Sequence, residues 1–264
     1  MTADGSRERL GRADLHVHTL ASDGVSGVEE ILEAAVAAGL DVVAITDHDR
    51  IDAALAARAL ARDRGLPLEI VVGSEVTTRG GHLLGLFLER PVRPLRSLRD
   101  SIAEIHDQGG LAIPAHPLVP YPLCAQGFVL RRLLAASDPR VRPDGLETFN
   151  PTTFGRYWHR RVVAFAREHG LSEIGNSDAH VAEAVATGWT TFPGRSGADL
   201  RAAIGDGRTA AFGSFHPTAR QLALFGRQLR KYGRDARAEL RARLFGSGGG
   251  RDLGYPPTDA SLGR

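Results

Sequence analysis

The chain has 264 residues, of which 42% are hydrophobic and 24% charged, and its formal net charge is +2. This composition is typical of a globular protein with a sizeable core and excludes an intrinsically disordered chain. The first residues contain no apolar signal-peptide stretch, and no run approaches the roughly 20 apolar residues that span a bilayer, so we expect a cytoplasmic location. Cys124 is the only cysteine, which excludes an intrachain disulfide and a thiolate-rich metal site.

Strand-like and helix-like segments alternate from residue 14 to about residue 213. Strands are predicted within residues 14–24, 41–48, 68–76, 82–88, 110–116, 145–150, 172–180, 188–192 and 209–213. Helices are predicted at residues 28–39, 51–65, 95–109, 157–170 and 197–207. Parallel strands joined by helical crossovers are the economical arrangement of such a pattern. About seven such units predict an α/β fold in which the strands form a closed or nearly closed barrel rather than an open sheet.

Four segments are predicted along the chain. Residues 1–13 form a flexible N-terminal segment, residues 14–213 the main domain, residues 214–246 a helical basic arm, and residues 247–264 a disordered tail rich in Gly and Pro. Residues 217–245 hold eight basic and two acidic residues, and we expect this helix to break or bend at Gly226 or Gly233. Its predicted apolar stripe consists of Leu222, Phe225, Leu229, Tyr232, Ala236, Leu240 and Leu244.

The basic arm is predicted to pack on the barrel with a solvated arginine face. Contact with a membrane surface, a second copy of the chain or nucleic acid is the alternative. The oligomeric state is left open.

Two histidines alternate with apolar residues in "DLHVHTLASDG", residues 14–24. Because side chains along a strand alternate between its two faces, His16 and His18 share one face while Leu15 and Val17 face a core. A half-exposed strand with incidental polar positions is the alternative interpretation, so residues elsewhere in the chain must decide between them.

Further His, Asp and Glu residues follow other predicted strands. The carboxyl ends of parallel strands carry the site in α/β folds, so these side chains are expected to converge there. Crowded imidazoles and carboxylates need cations between them, and mixed sets of this kind suit Zn, Mn or Fe. The candidate ligands are His16, His18, Asp23, His48, Glu75, His116, Asp178 and His180, together with His82 at the start of a strand.

The motifs "HVH", "SDG", "TDHD", "GSE", "HLLG", "AHP" and "NSDAH" occur in this order between residue 14 and about residue 213. In this respect the chain resembles the polymerase and histidinol phosphatase (PHP) family of metal-dependent phosphoesterases. The resemblance implies a distorted (β/α)7 barrel that holds two or three divalent metal ions.

The resemblance also implies three ligand groups. One metal would be held by His16, His18, Glu75 and Asp178, a second, bridged by Glu75, by Glu75, His82 and His116, and a third by Asp23, His48 and His180. Asp23 stands where histidinol phosphatase-like members often have another histidine. Glu75 and Asp178 are the predicted catalytic residues.

Other polar residues have less specific signals. Asn150, and Arg156 or Arg160 on the following helix, are predicted to bind a substrate phosphate, with solvated helix charge as the alternative for the arginines. We expect Asp49 to cap the next helix. Cys124 has no nearby base in sequence and is expected to be inert.

A hydroxide bridging two metals would attack phosphorus directly, so the leading hypothesis is a phosphoesterase acting on a small phosphorylated metabolite or nucleotide. The alternatives are hydrolysis of a non-phosphate ester or amide, phosphodiesterase or exonuclease action on oligonucleotides, and a binding module with a decayed site. Phosphomonoesters are favoured because a dianionic phosphoryl group can contact several ions and an arginine, because the chain between the "HLLG" strand (82–88) and the "AHP" strand (110–116) has room for only one helix, and because aromatic residues are 6% of the chain. Nucleic acid is therefore a possible but not the favoured substrate.

Overall fold

Nine strands and seven α-helices lie along residues 10–245, the part of the chain that this computed structural model describes. The strands are β1 (Leu10–Asp14), β2 (Val42–Ile45), β3 (Glu69–Thr78), β4 (Gly81–Leu86), β5 (Leu111–Pro114), β6 (Gly145–Phe149), β7 (Ser172–Gly175), β8 (Gly188–Pro193) and β9 (Ala210–Gly213). The helices are α1 (Val28–Ala37), α2 (Asp52–Asp63), α3 (Leu98–His106), α4 (Gly127–Leu134), α5 (Thr153–Glu168), α6 (Gly197–Gly205) and α7 (Thr218–Phe245). The sequence pattern does not predict α4.

Seven strands form one curled sheet in the order β5-β4-β3-β2-β1-β8-β9, and β6 and β7 form a second, parallel pair. The pair lies between the two ends of the large sheet, because β6 packs beside β5 while β7 packs beside β8 and β9. This arrangement, with helices outside the strands, confirms the predicted α/β class.

The expectation that the strands are all parallel is wrong for four pairs. β1 is parallel to β2, and β2 to β3, but the β1–β8, β3–β4, β4–β5 and β8–β9 pairs are antiparallel. The reason is clearest at β3 and β4, where only Arg79 and Gly80 separate the two strands. A parallel pair needs a crossover of a dozen or more residues, whereas two residues close a hairpin.

Two hydrophobic clusters lie on opposite faces of the large sheet. Along β2, Val42 and Ala44 belong to one cluster while Val43 and Ile45 belong to the other, and all four side chains are buried. A strand covered on both faces is expected to be apolar throughout rather than alternating. This explains why "VVAI" has no period-two pattern.

The first strand lies earlier in the chain than predicted. β1 begins at Leu10, so residues 10–13 are a strand and not part of a flexible segment. The backbone ladder ends at Asp14 because side chains take over the next N–H groups: Leu15 N donates to Asn176 Oδ1 and Val17 N to Thr46 Oγ1, each at 3.0 Å. The rest of the predicted N-terminal segment, residues 1–9, and the predicted tail, residues 247–264, lie outside the described residues.

The basic arm forms one helix, α7, that continues through Gly226 and Gly233, so the expected break is absent. The predicted apolar stripe is wrong at Leu222 and Leu229, which are 66% and 53% exposed. Leu224 packs against the core instead, and seven residues later Lys231 is buried.

Lys231 joins α7 to the loop after the first histidines. Its Nζ donates to the carbonyl oxygens of Leu20 and Ser22, and Arg227 Nη1 lies 3.3 Å from Glu183 Oε1. These contacts support the predicted packing of the arm. The other predicted stripe side chains, at Phe225, Tyr232, Ala236, Leu240 and Leu244, lie outside what the structure describes. Within residues 10–245, no helix has both the length and the apolar character needed to cross a membrane.

His106 joins the end of α3 to the segment that precedes β6. Its Nδ1 lies 2.7 Å from the Arg140 carbonyl oxygen and its Nε2 lies 2.8 Å from Asp144 Oδ2. Both ring nitrogens therefore face acceptors, which favours the doubly protonated imidazolium. The hydrogen bond to Asp144 raises the pKa of His106 above its ordinary value, with a smaller contribution from the charge of Asp107.

Replacing His106 by Gln is expected to destabilise the protein most at acidic pH. A raised folded-state pKa contributes stability that is complete below the unfolded pKa of about 6.5 and is lost as pH rises through the folded value. Chemical denaturation should therefore show a deficit of about 1 kcal/mol for His106→Gln at about pH 5.5 that shrinks towards about pH 9. Asp144→Asn should remove most of this pH dependence. A deficit that stays constant with pH would contradict the charged pair.

Candidate metal centre

Each carboxylate oxygen of Glu75, on β3, faces a different group of histidines. Oε2 lies 3.1 Å from His16 Nε2 and 3.2 Å from His18 Nε2. Oε1 lies 2.8 Å from His82 Nδ1 and 3.1 Å from His116 Nε2. The carboxylate therefore stands between two sets of imidazole nitrogens.

The two histidines of "HVH" are aligned by pairing with the "NSDAH" segment. His18 N donates to the Ala179 carbonyl at 2.8 Å, and Ala179 N donates to the His16 carbonyl at 3.3 Å. Because alternate residues of paired extended segments share a face, Asp178 lies on the same side as both histidines. Its Oδ1 is 3.4 Å from His16 Nε2 and 3.5 Å from His18 Nε2. The expectation that the two imidazoles point at one spot is confirmed.

The hairpin of β3 and β4 places His82 beside Glu75. His82 pairs directly with Thr77, and Glu75 is two residues from Thr77, so Glu75 and His82 are diagonal neighbours on one face. His48 reaches the same carboxylate from the continuation of β2, which bridges to β3 at His48 and Glu75. The His48 Nδ1 to Glu75 Oε2 distance is 3.5 Å.

A third group adjoins His18. Asp23 Oδ2 lies 2.9 Å from His180 Nε2 and 3.7 Å from His48 Nε2, while Asp23 Oδ1 lies 3.3 Å from His18 Nδ1. His18 therefore faces Glu75 with one ring nitrogen and Asp23 with the other. The turn that carries Asp23 requires Gly24, because a Cβ there would lie 2.5 Å from the His18 carbonyl oxygen.

The residues fit a metal site, as two buried atoms show. Nε2 of His16 and Nε2 of His18 have no hydrogen-bond partner among the described residues, although Glu75 and Asp178 are close. Buried polar atoms are rarely left unsatisfied, and a divalent cation between imidazole nitrogen and carboxylate oxygen would satisfy both. Ligand atoms within 4.8 Å of one another occur in four overlapping groups: His16, His18 and Glu75; His18, Asp23 and His48; His18, Asp178 and His180; His48, Glu75 and His82.

The electrostatics of the cluster are those of closely packed opposite charges. Burial alone would lower the pKa of His18, but the carboxylates of Asp23, Asp178 and Glu75 outweigh it and raise that pKa to about 10. Burial would likewise raise the pKa of Glu75, but His16 and the other imidazoles hold it well below its ordinary value. The raised pKa favours a protonated His18, and binding of a metal ion at this nitrogen would release that proton.

Two of the candidate ligands have a left-handed backbone, which non-glycine residues rarely adopt. The φ angles are 30° at His116 and 51° at Asp178. Such conformations cost about 1–3 kcal/mol and persist where surrounding contacts hold them. Glu147 Oε2 accepts from His116 N at 2.6 Å, and Asn150 Nδ2 donates to Asp178 Oδ2 at 3.1 Å.

The sequence analysis missed Glu147, a fully buried carboxylate on β6. Its Oε1 lies 2.9 Å from His16 Nδ1 and accepts from Asn176 Nδ2, also at 2.9 Å. This contact favours the His16 tautomer that is protonated at Nδ1, in which Nε2 is free to face Glu75, as is usual for metal-ligating histidines. The signal was a glutamate inside the apolar strand "GLETFN", where an unpaired charge would be costly.

The predicted substrate-binding residues are not brought together. Asn150 is buried and its Nδ2 is shared between Glu147 and Asp178. Arg156 and Arg160 are exposed, and the Arg156 guanidinium carbon lies 5.4 Å from the ring centre of Phe215. Neither arginine belongs to the lining of the cavity beside the cluster.

Asp49 and Cys124 make contacts that the sequence did not predict. Asp49 does not cap α2, which begins after Ile51; its Oδ1 accepts from Thr77 N at 2.7 Å and so ties the His48 segment to β3. Cys124, which was expected to be inert for lack of a nearby base, has its Sγ 3.2 Å from His116 Nδ1. The fold thus brings an imidazole next to Cys124 from a residue eight positions earlier in the chain.

Residues 14–122 match the PHP domain family, and residues 156–209 match the PHP-associated family. An uncharacterised protein of Methanocaldococcus jannaschii is 38% identical over 150 residues, which cover 53% of this chain and 81% of that protein. The chain belongs to the PHP family. A solved two-domain structure from Bacteroides vulgatus, described as containing a PHP-like metal-dependent phosphoesterase, aligns with TM-score 0.65 and 21% identity over 83% of this chain and 70% of that one. This likeness confirms the predicted distorted barrel.

Two PHP relatives with named activities match over shorter stretches. A 5'-3' exoribonuclease of Haemophilus influenzae is 33% identical over 104 residues, which cover 38% of this chain and 37% of that protein. A 3',5'-nucleoside bisphosphate phosphatase of Chromobacterium violaceum is 32% identical over 115 residues, covering 40% and 39%. The matched part is thus less than half of either relative.

Replacing Glu147 by Gln is expected to weaken metal binding by about 10- to 100-fold. The variant keeps the side-chain volume but loses the negative charge of the carboxylate, whose oxygens contact the His16 ring and accept a hydrogen bond from His116 N. Competition with a chelator, followed by elemental analysis, measures the change. Glu173→Gln on β7, where the carboxylate pairs with Arg167, is the matched control and should bind metal like the parent. Equal affinity in all three proteins would remove the positioning role of Glu147.

Proposed function

We propose that the protein is a metal-dependent phosphoesterase that hydrolyses a small phosphorylated metabolite or nucleotide with two or three bound Zn, Mn or Fe ions. The observation that carries this proposal is the carboxylate of Glu75, whose two oxygens face two separate sets of histidines. The proposed ligand groups are His16, His18, Glu75 and Asp178; Glu75, His82 and His116; and Asp23, His48 and His180.

Bound divalent ions would supply a nucleophile from water at neutral pH and neutralise charge on the phosphoryl oxygens. In this proposal Glu75 and Asp178 are the catalytic carboxylates, since both face His16 and His18. Asn150 acts through Asp178, to which its amide donates. The strained backbone of His116 and Asp178 fixes the directions of two side chains before substrate arrives.

A phosphomonoester is the favoured substrate because its dianionic end contacts several ions at once, whereas a diester offers one charge. Among the described residues no arginine lines the cavity, so the positive charge that favours the dianion comes from the ions. Diester cleavage is the second candidate. It is favoured by the exoribonuclease relative and by Tyr121 and Phe154, two aromatic side chains on the cavity wall that the sequence analysis did not anticipate. The cytoplasmic location remains a prediction.

Side-by-side kinetics on p-nitrophenyl phosphate and bis(p-nitrophenyl) phosphate, then on a mononucleotide and a short oligonucleotide, test the reaction class. We expect kcat/KM about tenfold or more higher for each monoester, because more charge is neutralised by the ions. A preference for the bis ester and the oligonucleotide would identify a diesterase. Turnover of p-nitrophenyl acetate alone would identify a hydrolase of non-phosphate esters.

The Glu75→Ala variant is expected to lose more activity and more bound metal than Asp23→Ala, because Glu75 faces two histidine groups at 2.8–3.2 Å. We expect kcat/KM to fall by about 100-fold or more for Glu75→Ala and by about tenfold for Asp23→Ala. Elemental analysis should show the larger loss of metal in the same variant. The exposed Asp52→Ala serves as a control. Equal metal loss at Glu75 and Asp23 would exclude bridging by Glu75.

A further inference from the structure

A cavity of about 580 Å³ opens beside the ligand cluster. His48, His82, His116 and His180 form its inner side. The outer wall comes from three separate segments, namely the loop after β5, the start of α5 and the first turns of α7. The apolar side chains that these segments contribute are Val119, Tyr121, Leu123, Phe154 and Leu222.

The outer wall is apolar in a part of the molecule where water has access. Tyr121, Phe154 and Leu222 are 56%, 63% and 66% exposed, and large exposed apolar groups gathered at one place mark binding sites. Among the residues that the structure describes, no arginine or lysine lines this cavity. A second anionic group on a ligand would therefore meet no protein cation there.

Gln221, on α7, provides an independent indication of a ligand. It lines the cavity, and its Oε1 is buried without a hydrogen-bond partner among the described residues. An unsatisfied buried carboxamide oxygen is costly, and the cost is removed when the side chain turns into the cavity and a ligand there supplies an N–H or O–H donor. The wall is thus mainly apolar, and its polar groups are the Gln221 carboxamide and the hydroxyls of Thr152, Thr153, Thr218 and Tyr121.

We propose that this cavity binds the uncharged aromatic part of a substrate whose single phosphate lies at the metal cluster, with Gln221 accepting a hydrogen bond from that part. The proposal rests on the proposed phosphoesterase function. Phe154, Tyr121 and Leu222 are then specificity-determining residues, because they cover apolar surface that water would otherwise hydrate. A second phosphate on the same substrate is disfavoured, because it would enter a wall without cations.

The first test compares kcat/KM for 2-naphthyl phosphate and glycerol 1-phosphate in Phe154→Ala and Leu222→Ala. The ratio of the two values should fall about tenfold in each variant, because apolar contact with naphthyl is lost. Matched controls are Tyr157→Ala on α5 and Leu229→Ala on α7, which are 74% and 53% exposed and lie outside the cavity lining. An unchanged ratio in the cavity variants, or a parent preference for a bisphosphate, would overturn the proposal.

The second test measures binding without turnover, so that failure of the reaction and failure of the cavity are separated. Calorimetry of the metal-loaded protein should show binding of 2-naphthol that is weakened about tenfold by Phe154→Ala. Gln221→Leu should weaken binding of 2-naphthol but not of 2-methoxynaphthalene, which has no donor. Naphthol binding with these variant effects, in a protein inactive on phosphate esters, would refute the proposed reaction and leave the cavity assignment intact. Absence of naphthol binding in a protein that is an active phosphatase would refute the cavity assignment.

Discussion

A carboxylate that is 2% exposed, on Glu75, sets the constraint on which the rest of the site depends. An ion in that position is tolerated only when opposite charge surrounds it at short distance. Imidazoles from four chain segments surround this carboxylate. The segment of His16 and His18 is aligned by its pairing with Ala179, and His82 is placed by the register of the β3–β4 hairpin. His48 is placed by its bridge to β3, and His116 by its left-handed backbone. The fold thus brings the histidines of all four segments to the carboxylate of Glu75.

The departures from a regular parallel barrel follow from the same constraint. In a parallel unit only the carboxyl end of a strand lies at the site, so a residue at the beginning of a strand would lie at the far end. The antiparallel β4 reverses this, because its first residues return directly from β3 and bring His82 to Glu75. A two-residue connection thus replaces a helix here and brings an imidazole nitrogen next to the carboxylate.

Apart from α4, the order and type of the elements and the set of candidate ligands were predictable because each rests on local patterns. Alternation, helix periodicity and short motifs belong to a few consecutive residues. The strand directions and the positions of Glu147 and Asn176 were not predictable, because these depend on partners far along the chain: Asn176 Nδ2 meets Glu147 Oε1 across 29 positions. Arg156 and Arg160, which lie outside the cavity lining, show another limit of local patterns. Arginine after a site motif suits phosphate, but the direction in which a helix presents its side chains depends on how the helix packs.

The contact of Lys231 with the loop of Leu20 and Ser22 joins residues 211 and 209 positions apart. Chains are synthesised from the amino terminus, and early segments begin to fold while later ones are still being made. The loop that carries Asp23 therefore emerges from the ribosome more than 200 residues before the lysine that holds its carbonyl groups. The loop that carries Asp23 cannot make these contacts until α7 has been synthesised, so one of the earliest segments of the site depends on one of the latest segments of the described chain.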